Sequence, residues 1–239
     1  MISVCMTTYN GEKYISEQIL SILQQLGEND EIVISDDSSS DRTIEIIENF
    51  KDNRIILLKE NNYRSPIFNL ENALKHVKGD FIFLADQDDI WLPNKICETL
   101  KHINENNVVM TDALLVDEHL NILSPTLDTW RIYKSGFIRN LYRYRYLGCC
   151  MAFHKNKLQQ ILPFPKNIQA HDVWIGLLAE LYGGLDYLPI QLIKYRRHDN
   201  NYSGVSTKSK RSVAFMISYR IYFLVFTLLR ICKIKHFKK

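Results

Sequence analysis

Three carboxylates in four positions, Asp86, Asp88 and Asp89, lie within the stretch "FIFLADQDDIWLP" at residues 81–93. Five mostly apolar residues come first, so a strand built for burial runs straight into a knot of negative charge. Clustered acids repel one another, and a cation relieves that repulsion. Carboxylate oxygens suit Mg²⁺ or Mn²⁺, which take one or two protein carboxylates and leave positions for phosphate oxygens. Asp86 and Asp88 are the candidate ligands. Asp89 serves equally well to shape the turn before Trp91. The plainer alternative for all three is that they cap the turn or the helix beyond it.

A second acidic group lies in "SDDSSSDRT", where Asp37 can accept from the imide N–H of uracil or thymine and Asp41 suits a helix cap. Tyr9, in "TTYNG", can lie against a base. Late in the chain, Arg196 and Arg197 are candidates for phosphate contact, although a solvated strand end explains either as well. Neither GxGxxG nor GxxxxGK[ST] occurs, which excludes a dinucleotide fingerprint and a P-loop.

These side chains need elements to hold them. "ISVCMTT" reads as a strand, and Tyr14–Leu26 as a helix with Ile15, Ile19, Ile22, Leu23 and Leu26 apolar. "EIVISD" is a second strand, "RTIEIIENF" a helix and "RIILLK" a third strand. Ser65 and Pro66 open a helix running to about Val77, "DFIFLAD" is the fourth strand, and Pro93 opens the next helix. Near-continuous apolar strands separated by helices predict a parallel sheet covered on both faces. Ligands bind such sheets beyond the carboxyl ends of the strands. Thr7–Asn10, Asp36–Ser40 and Asp86–Asp89 all fall on that one rim. From about 113 to 170 the alternation lapses, and "RNLYRYRYLGCCMAF" interleaves basic and aromatic residues. "AHDVWIGLLAELYG" then predicts a helix entered through His171 and Asp172, and "LDYLPIQLIKYRRHDNNYSG" a strand ending in a polar, basic turn.

Taken in order, "VCMTTYNG", "ISDDSSSDRT", "FLADQDDIWLPNKI", "GCCMAF", "HDVWIGLLA" and "YRRHDNNYSG" resemble the family 2 glycosyltransferases, nearest their rhamnosyltransferase-like branch in O-antigen and capsule synthesis. The resemblance covers residues 1 to about 205. It implies an α/β, GT-A fold: a Rossmann-like, mostly parallel sheet flanked by helices. It further implies inverting transfer from a nucleoside diphosphate sugar, with dTDP-rhamnose the first expectation and a UDP-hexose the second, using Mn²⁺ or Mg²⁺. By the same resemblance Thr7, Tyr9 and Asp37 hold the nucleoside, and Asp86 and Asp88 form the DxD pair, with Asp88 the direct metal ligand. Asp172 matches the catalytic base, and His198 a position that approaches the metal or diphosphate. His171–Asp172 stands where many relatives carry glutamate–aspartate. Residues 1–110 are then the nucleotide-sugar half, 111–205 the acceptor and base half, and 206–239 a tail.

The tail is a different material. Residues 208–239 hold nine of the chain's 30 Lys and Arg and no Asp or Glu, leaving the body with 21 basic against 27 acidic residues. That balance argues against a nucleic-acid partner. "VAFMISYRIYFLVFTLLRIC" is strongly apolar, but Arg220 interrupts it, which argues against a spanning segment. Ser209, Ser212, Arg220, Thr227 and Arg230 fall on one stripe of a helical wheel. A basic amphipathic helix on the inner leaflet of the bacterial plasma membrane is the expectation, beside a lipid-linked saccharide acceptor; pairing in a homodimer is the competing use. Five cysteines without metal spacing, and an opening "MISVCMTTYNG" without signal-peptide features, fit the cytoplasm. A nucleotidyltransferase would present an early Gly-rich basic loop. An inactive scaffold at the membrane is the remaining rival.

Overall fold

A computed structural model describes residues 1–126, 134–198 and 212–237. The first four strands are β1 (Ile2–Thr8), β2 (Glu31–Asp36), β3 (Ile55–Leu58) and β4 (Phe81–Ala85), and they lie side by side in the order β3-β2-β1-β4, all parallel. Helices α1 (Ile15–Leu23), α2 (Thr43–Asn49) and α3 (Pro66–His76) are the crossovers. Val4, Cys5, Met6, Ile32, Val33 and Ile34 are fully buried, as strands covered on both faces require. Ile15, Ile19 and Ile22 of α1 turn one face to that core. Ser65 caps α3 by accepting from Phe68 N, with Pro66 at the first turn.

Beyond β4 the sheet departs from expectation. Short β5 (Ile90–Trp91) precedes α4 (Lys95–Leu100), which starts two residues after Pro93 with Asn94 as its left-handed cap. Then comes β6 (Val108–Val116), a nine-residue strand within a region read as the end of the regular alternation. Thr111 and Asp112 interrupt its apolar run, and the register slips there against a later strand. Asp112 is buried and bonded to Thr126 and Gln191, so its carboxylate is satisfied inside the sheet, while the buried Thr111 hydroxyl has no partner among the described residues.

The remaining elements are β7 (Ile122–Ser124), α5 (Phe137–Tyr142), β8 (Met151–His154), α6 (Leu158–Ile161), α7 (His171–Leu181), β9 (Leu185–Arg196) and α8 (Val213–Phe237). The strand order continues β4-β8-β6-β9-β5, with β7 paired to β6. β8 runs antiparallel to both β4 and β6, β7 to β6 and β5 to β9, so the sheet is mixed: its first four strands are parallel, and β8 is reversed between β4 and β6. That reversal brings the Gly148–Cys150 turn before β8 to the carboxyl end of β4.

Within α8, Ala214–Ile234 is long and apolar enough to cross a membrane by length and composition, despite Arg220. Three residues of the polar stripe, Arg220, Thr227 and Arg230, face the protein, while Ser212 is exposed. Arg220 donates to Tyr142 O at 2.7 Å, Arg230 to Leu162 O at 2.6 Å, and Thr227 is buried. Ser209 and much of the basic tail lie outside the described residues.

Candidate active site

The register of the parallel strands brings Thr8 level with Asp36, and Met6 level with Ala85. The three polar clusters therefore meet at one rim. Thr8 Oγ1 donates to Asp36 at 2.8 Å, and Asp36 accepts again from Ser39 N. Gln87, between the acids, is the clasp: its amide accepts from Tyr9 N at 3.0 Å and donates to Tyr9 O at 3.1 Å. A Cβ on Gly11 would lie 2.3 Å from Gln87 Oε1, which is why glycine follows Asn10. Below, Gln18 of α1 donates to Asp86 O at 2.7 Å. No role is assigned to Gln87 from the sequence; its signal there is an amide placed among carboxylates.

Thr7 is half-buried at the end of β1, and the Tyr9 ring stands 58% exposed above it. Asp37 accepts from Tyr63 N at 2.6 Å and Ser65 N at 3.1 Å, which fixes its carboxylate while leaving further lone pairs. Asp41 accepts from Thr43 N and Glu12 N, one residue ahead of the helix's cap position.

The three acids after β4 take separate places. Asp88 Oδ2 meets His198 Nε2 at 2.8 Å, and the imidazole lies 4.8 Å from the Tyr14 ring. Asp89 is fully buried and accepts from Arg196 N at 3.1 Å; its Oδ2 has no partner among the described residues. Asp86, Asp89 and Cys149 bring one ligand atom each to within 4.8 Å of one another. Burial, then the charges of Asp88 and Asp172, pushes Asp86 up to about 7. Burial also drives Asp89 well above the carboxylate range and holds the Cys149 thiol protonated. Two crowded carboxylates and an orphaned buried oxygen fit a divalent cation. A protonated thiol fits Mg²⁺ or Mn²⁺ poorly, and here it acts as a donor toward both Asp86 and Asp89.

Asp172 lies in the first turn of α7, where Ala170 holds the cap position, so the carboxylate is not the helix cap. It accepts from Val173 N at 2.8 Å, and burial raises it to about 6. Its charge is felt at Asp86, so the acid of α7 lies near those after β4. Burial lowers neighbouring His171 to about 4, leaving it a neutral imidazole. A Cβ on Gly148 would come within 2.3 Å of His171 Nε2, so the glycine turn seats the histidine. Trp174 is core packing, its indole donating to Ile161 O.

Arg196 stands apart from the expected phosphate contact. Its side chain is 3% exposed, pairs with Glu17 at 2.5 Å, donates to Asp88 O at 2.9 Å and stacks on Tyr14 at 4.4 Å. It ties β9 to the loop after β4 from beneath. Arg197 N donates to Val116 O, continuing the pairing with β6.

The raised acids carry a linkage. Asp86 and Asp172 are held above their unfolded values, so each contributes stability that is present below about pH 4 and lost as pH rises through about 6 and 7. A cation held by Asp86 reverses its share of the loss. Thermal unfolding should therefore show a larger Mn²⁺-induced rise in Tm at about pH 8 than at about pH 5. An equal rise at both would separate the cation from these acids.

Residues 3–162 match the family model described as glycosyl transferase family 2. UDP-Glc:alpha-D-GlcNAc-diphosphoundecaprenol beta-1,3-glucosyltransferase WfgD of Escherichia coli is 37% identical over 182 residues, spanning 75% of this chain and 70% of that protein. The dTDP-rhamnosyl transferase RfbG of Shigella flexneri is 28% identical over 222 residues, spanning 86% and 75%. Two further relatives are matched over only 45% and 43% of their length. Among solved structures, S. aureus TarS 1-349 in complex with UDP-GlcNAc superposes with a TM-score of 0.64 at 19% identity, covering 93% of this chain and 71% of that one. At that identity the likeness is one of fold.

Proposed function

The chain belongs to glycosyl transferase family 2, and from that premise we propose that it transfers a hexose from a nucleoside diphosphate sugar to a saccharide acceptor, inverting the anomeric centre. One observation carries the reading: the Gly148–Cys150 turn joins the two sets of residues, Gly148 lying against His171 beside Asp172, and Cys149 within 4.8 Å of Asp86 and Asp89. Inversion needs the acceptor hydroxyl on one face of the sugar and the diphosphate on the other. Asp172 takes the proton of the attacking hydroxyl, and at about 6 it is deprotonated near neutrality yet still basic. His171, neutral and seated by Gly148, borders the same helix end.

Asp88 and His198, with Asp86 behind them, would hold Mg²⁺ or Mn²⁺. Bound there, the ion offsets the charge gathering on the leaving diphosphate. Tyr9 offers an open ring to the base, Thr7 lies beneath it, and Asp37 keeps acceptor capacity for an imide N–H. Arg196 is a positioning residue, holding Asp88 through its carbonyl.

For the donor, identity of 37% to a protein named for UDP-Glc favours a UDP-hexose over the dTDP-rhamnose of the sequence resemblance. The 28% match to a dTDP-rhamnosyl transferase supports the second reading. The acceptor proposed is a saccharide on a lipid diphosphate, met at the inner membrane face. Calorimetric titration with UDP and dTDP, each with and without Mn²⁺, tests this. UDP should bind tighter, and only with the ion. Preference for dTDP would restore rhamnose, and binding of neither would sink the donor site.

A further inference from the structure

A second charged site lies away from the acids. Lys134, Arg139, Asn140, Tyr142, Arg143 and Arg145 line a cavity of about 330 Å³ beside α5. Among the described residues, Lys134, Arg139 and Arg143 make no ion pair. Arg145 is lowered by burial and then by the charge of Arg143, so like charges converge there. Asn140 is buried and bonded to Glu180 of α7, which fixes the wall.

The surface beside this cavity is apolar. Arg220 of α8 grips Tyr142 O and lies 5.1 Å from the Tyr142 ring, joining α8 to the pocket wall. Because Arg220, Thr227 and Arg230 of α8 face inward, Ile217, Ile221, Val225, Leu228 and Leu229 stand between 44% and 59% exposed. On α5, Ile138 and Tyr142 are four residues apart, share a face, and are each 72% exposed. Guanidinium groups suit phosphate oxygens, and cations beside an apolar helix face suit a phosphate carried on a lipid.

The pocket also lies within reach of the acids. Arg145 is four residues before Cys149, so their Cα atoms are at most about 14 Å apart, and Cys149 Sγ lies within 4.8 Å of an Asp86 oxygen. Tyr146 packs on Gly176, and Gly148 on His171, holding the intervening chain to α7. We propose that this basic pocket binds the diphosphate of the lipid-linked acceptor, with the outward face of α8 lying in the bilayer surface. The proposal rests on the transferase reading above and adds where the acceptor's anchor is held: the lipid diphosphate sits at Arg139 and Arg143, and its sugar extends toward Asp172.

Vesicle flotation of the full chain tests it, using phosphatidylcholine alone, phosphatidylcholine with phosphatidylglycerol, and phosphatidylcholine with polyprenyl diphosphate at matched charge. Partition onto the diphosphate vesicles should exceed the charge-matched ones by roughly tenfold, about the yield of one charge-assisted hydrogen bond. The double variant Arg139→Gln/Arg143→Gln should fall to the charge-matched level, and Ile221→Asp/Leu228→Asp should float with none. Equal partition onto both anionic vesicles would mean an unspecific anionic surface and overturn the assignment, as would undiminished binding by the arginine variant. UDP titration of the same samples keeps the two readings apart: retained nucleotide binding shows that the variants fold, and its loss in the unaltered chain would instead fault the donor site.

Discussion

Asp172→Asn should lower sugar transfer by about 10²- to 10⁴-fold, the usual yield of a positioned general base, with UDP affinity unchanged. The amide keeps the shape of the carboxylate and can still accept from Val173 N. What it loses is the capacity to take a proton. The unaltered enzyme should lose activity as pH falls below about 6, because burial holds the carboxyl there and its protonated form cannot act as a base. The variant's residual rate should lack that limb. The pair of measurements separates a base from a structural acid, since a residue needed only for packing would change Tm and leave the pH limb in place. It also separates an enzyme from a scaffold, for which neither rate nor limb exists. Full activity in Asp172→Asn would remove Asp172 from the chemistry.

Much of this site was legible because strand ends announce themselves. The runs before Tyr9, Asp37 and Asp86 are apolar long enough to demand burial on both faces, and only a parallel sheet does that with helices between. Once three strands are parallel, their polar ends share a rim. What escaped was whatever depends on a reversal of the chain. β8 is four residues long and antiparallel, and its residues read the same in either direction. β6 hid behind Thr111 and Asp112, and the partners of Asp112, Thr126 and Gln191, are 14 or more residues away. Arg196 hides its partners for the same reason. A strand-end arginine reads as exposed until Glu17, 179 residues distant, closes over it. The tail offers the sharpest case. A polar stripe on a helical wheel says which residues share a face, but not whether that face meets water or the carbonyls of Tyr142 and Leu162.

Asp88→Ala should reduce Mn²⁺-dependent nucleotide binding by more than about 100-fold, exceeding what loss of a supporting residue around a metal ligand costs. Two arrangements compete for the ion. One uses Asp88 and His198 with Asp86; the other uses the tight group of Asp86, Asp89 and Cys149. The chemistry of the groups discriminates between them. Asp89 already accepts from Arg196 N in full burial, and Cys149 is driven toward its protonated form, so the second group has one carboxylate free to turn and no thiolate. Asp88 and His198 are less enclosed, with side chains 15% and 11% exposed, and both can face a ligand entering from the rim. Cys149→Ala should therefore keep Mn²⁺-dependent binding within a few-fold, while Asp88→Ala and His198→Ala both weaken it. Loss in Cys149→Ala with retention in Asp88→Ala would move the ion inward, onto the buried group. The sequence motif names the acids in either case; the three variants decide which of them meets the ion.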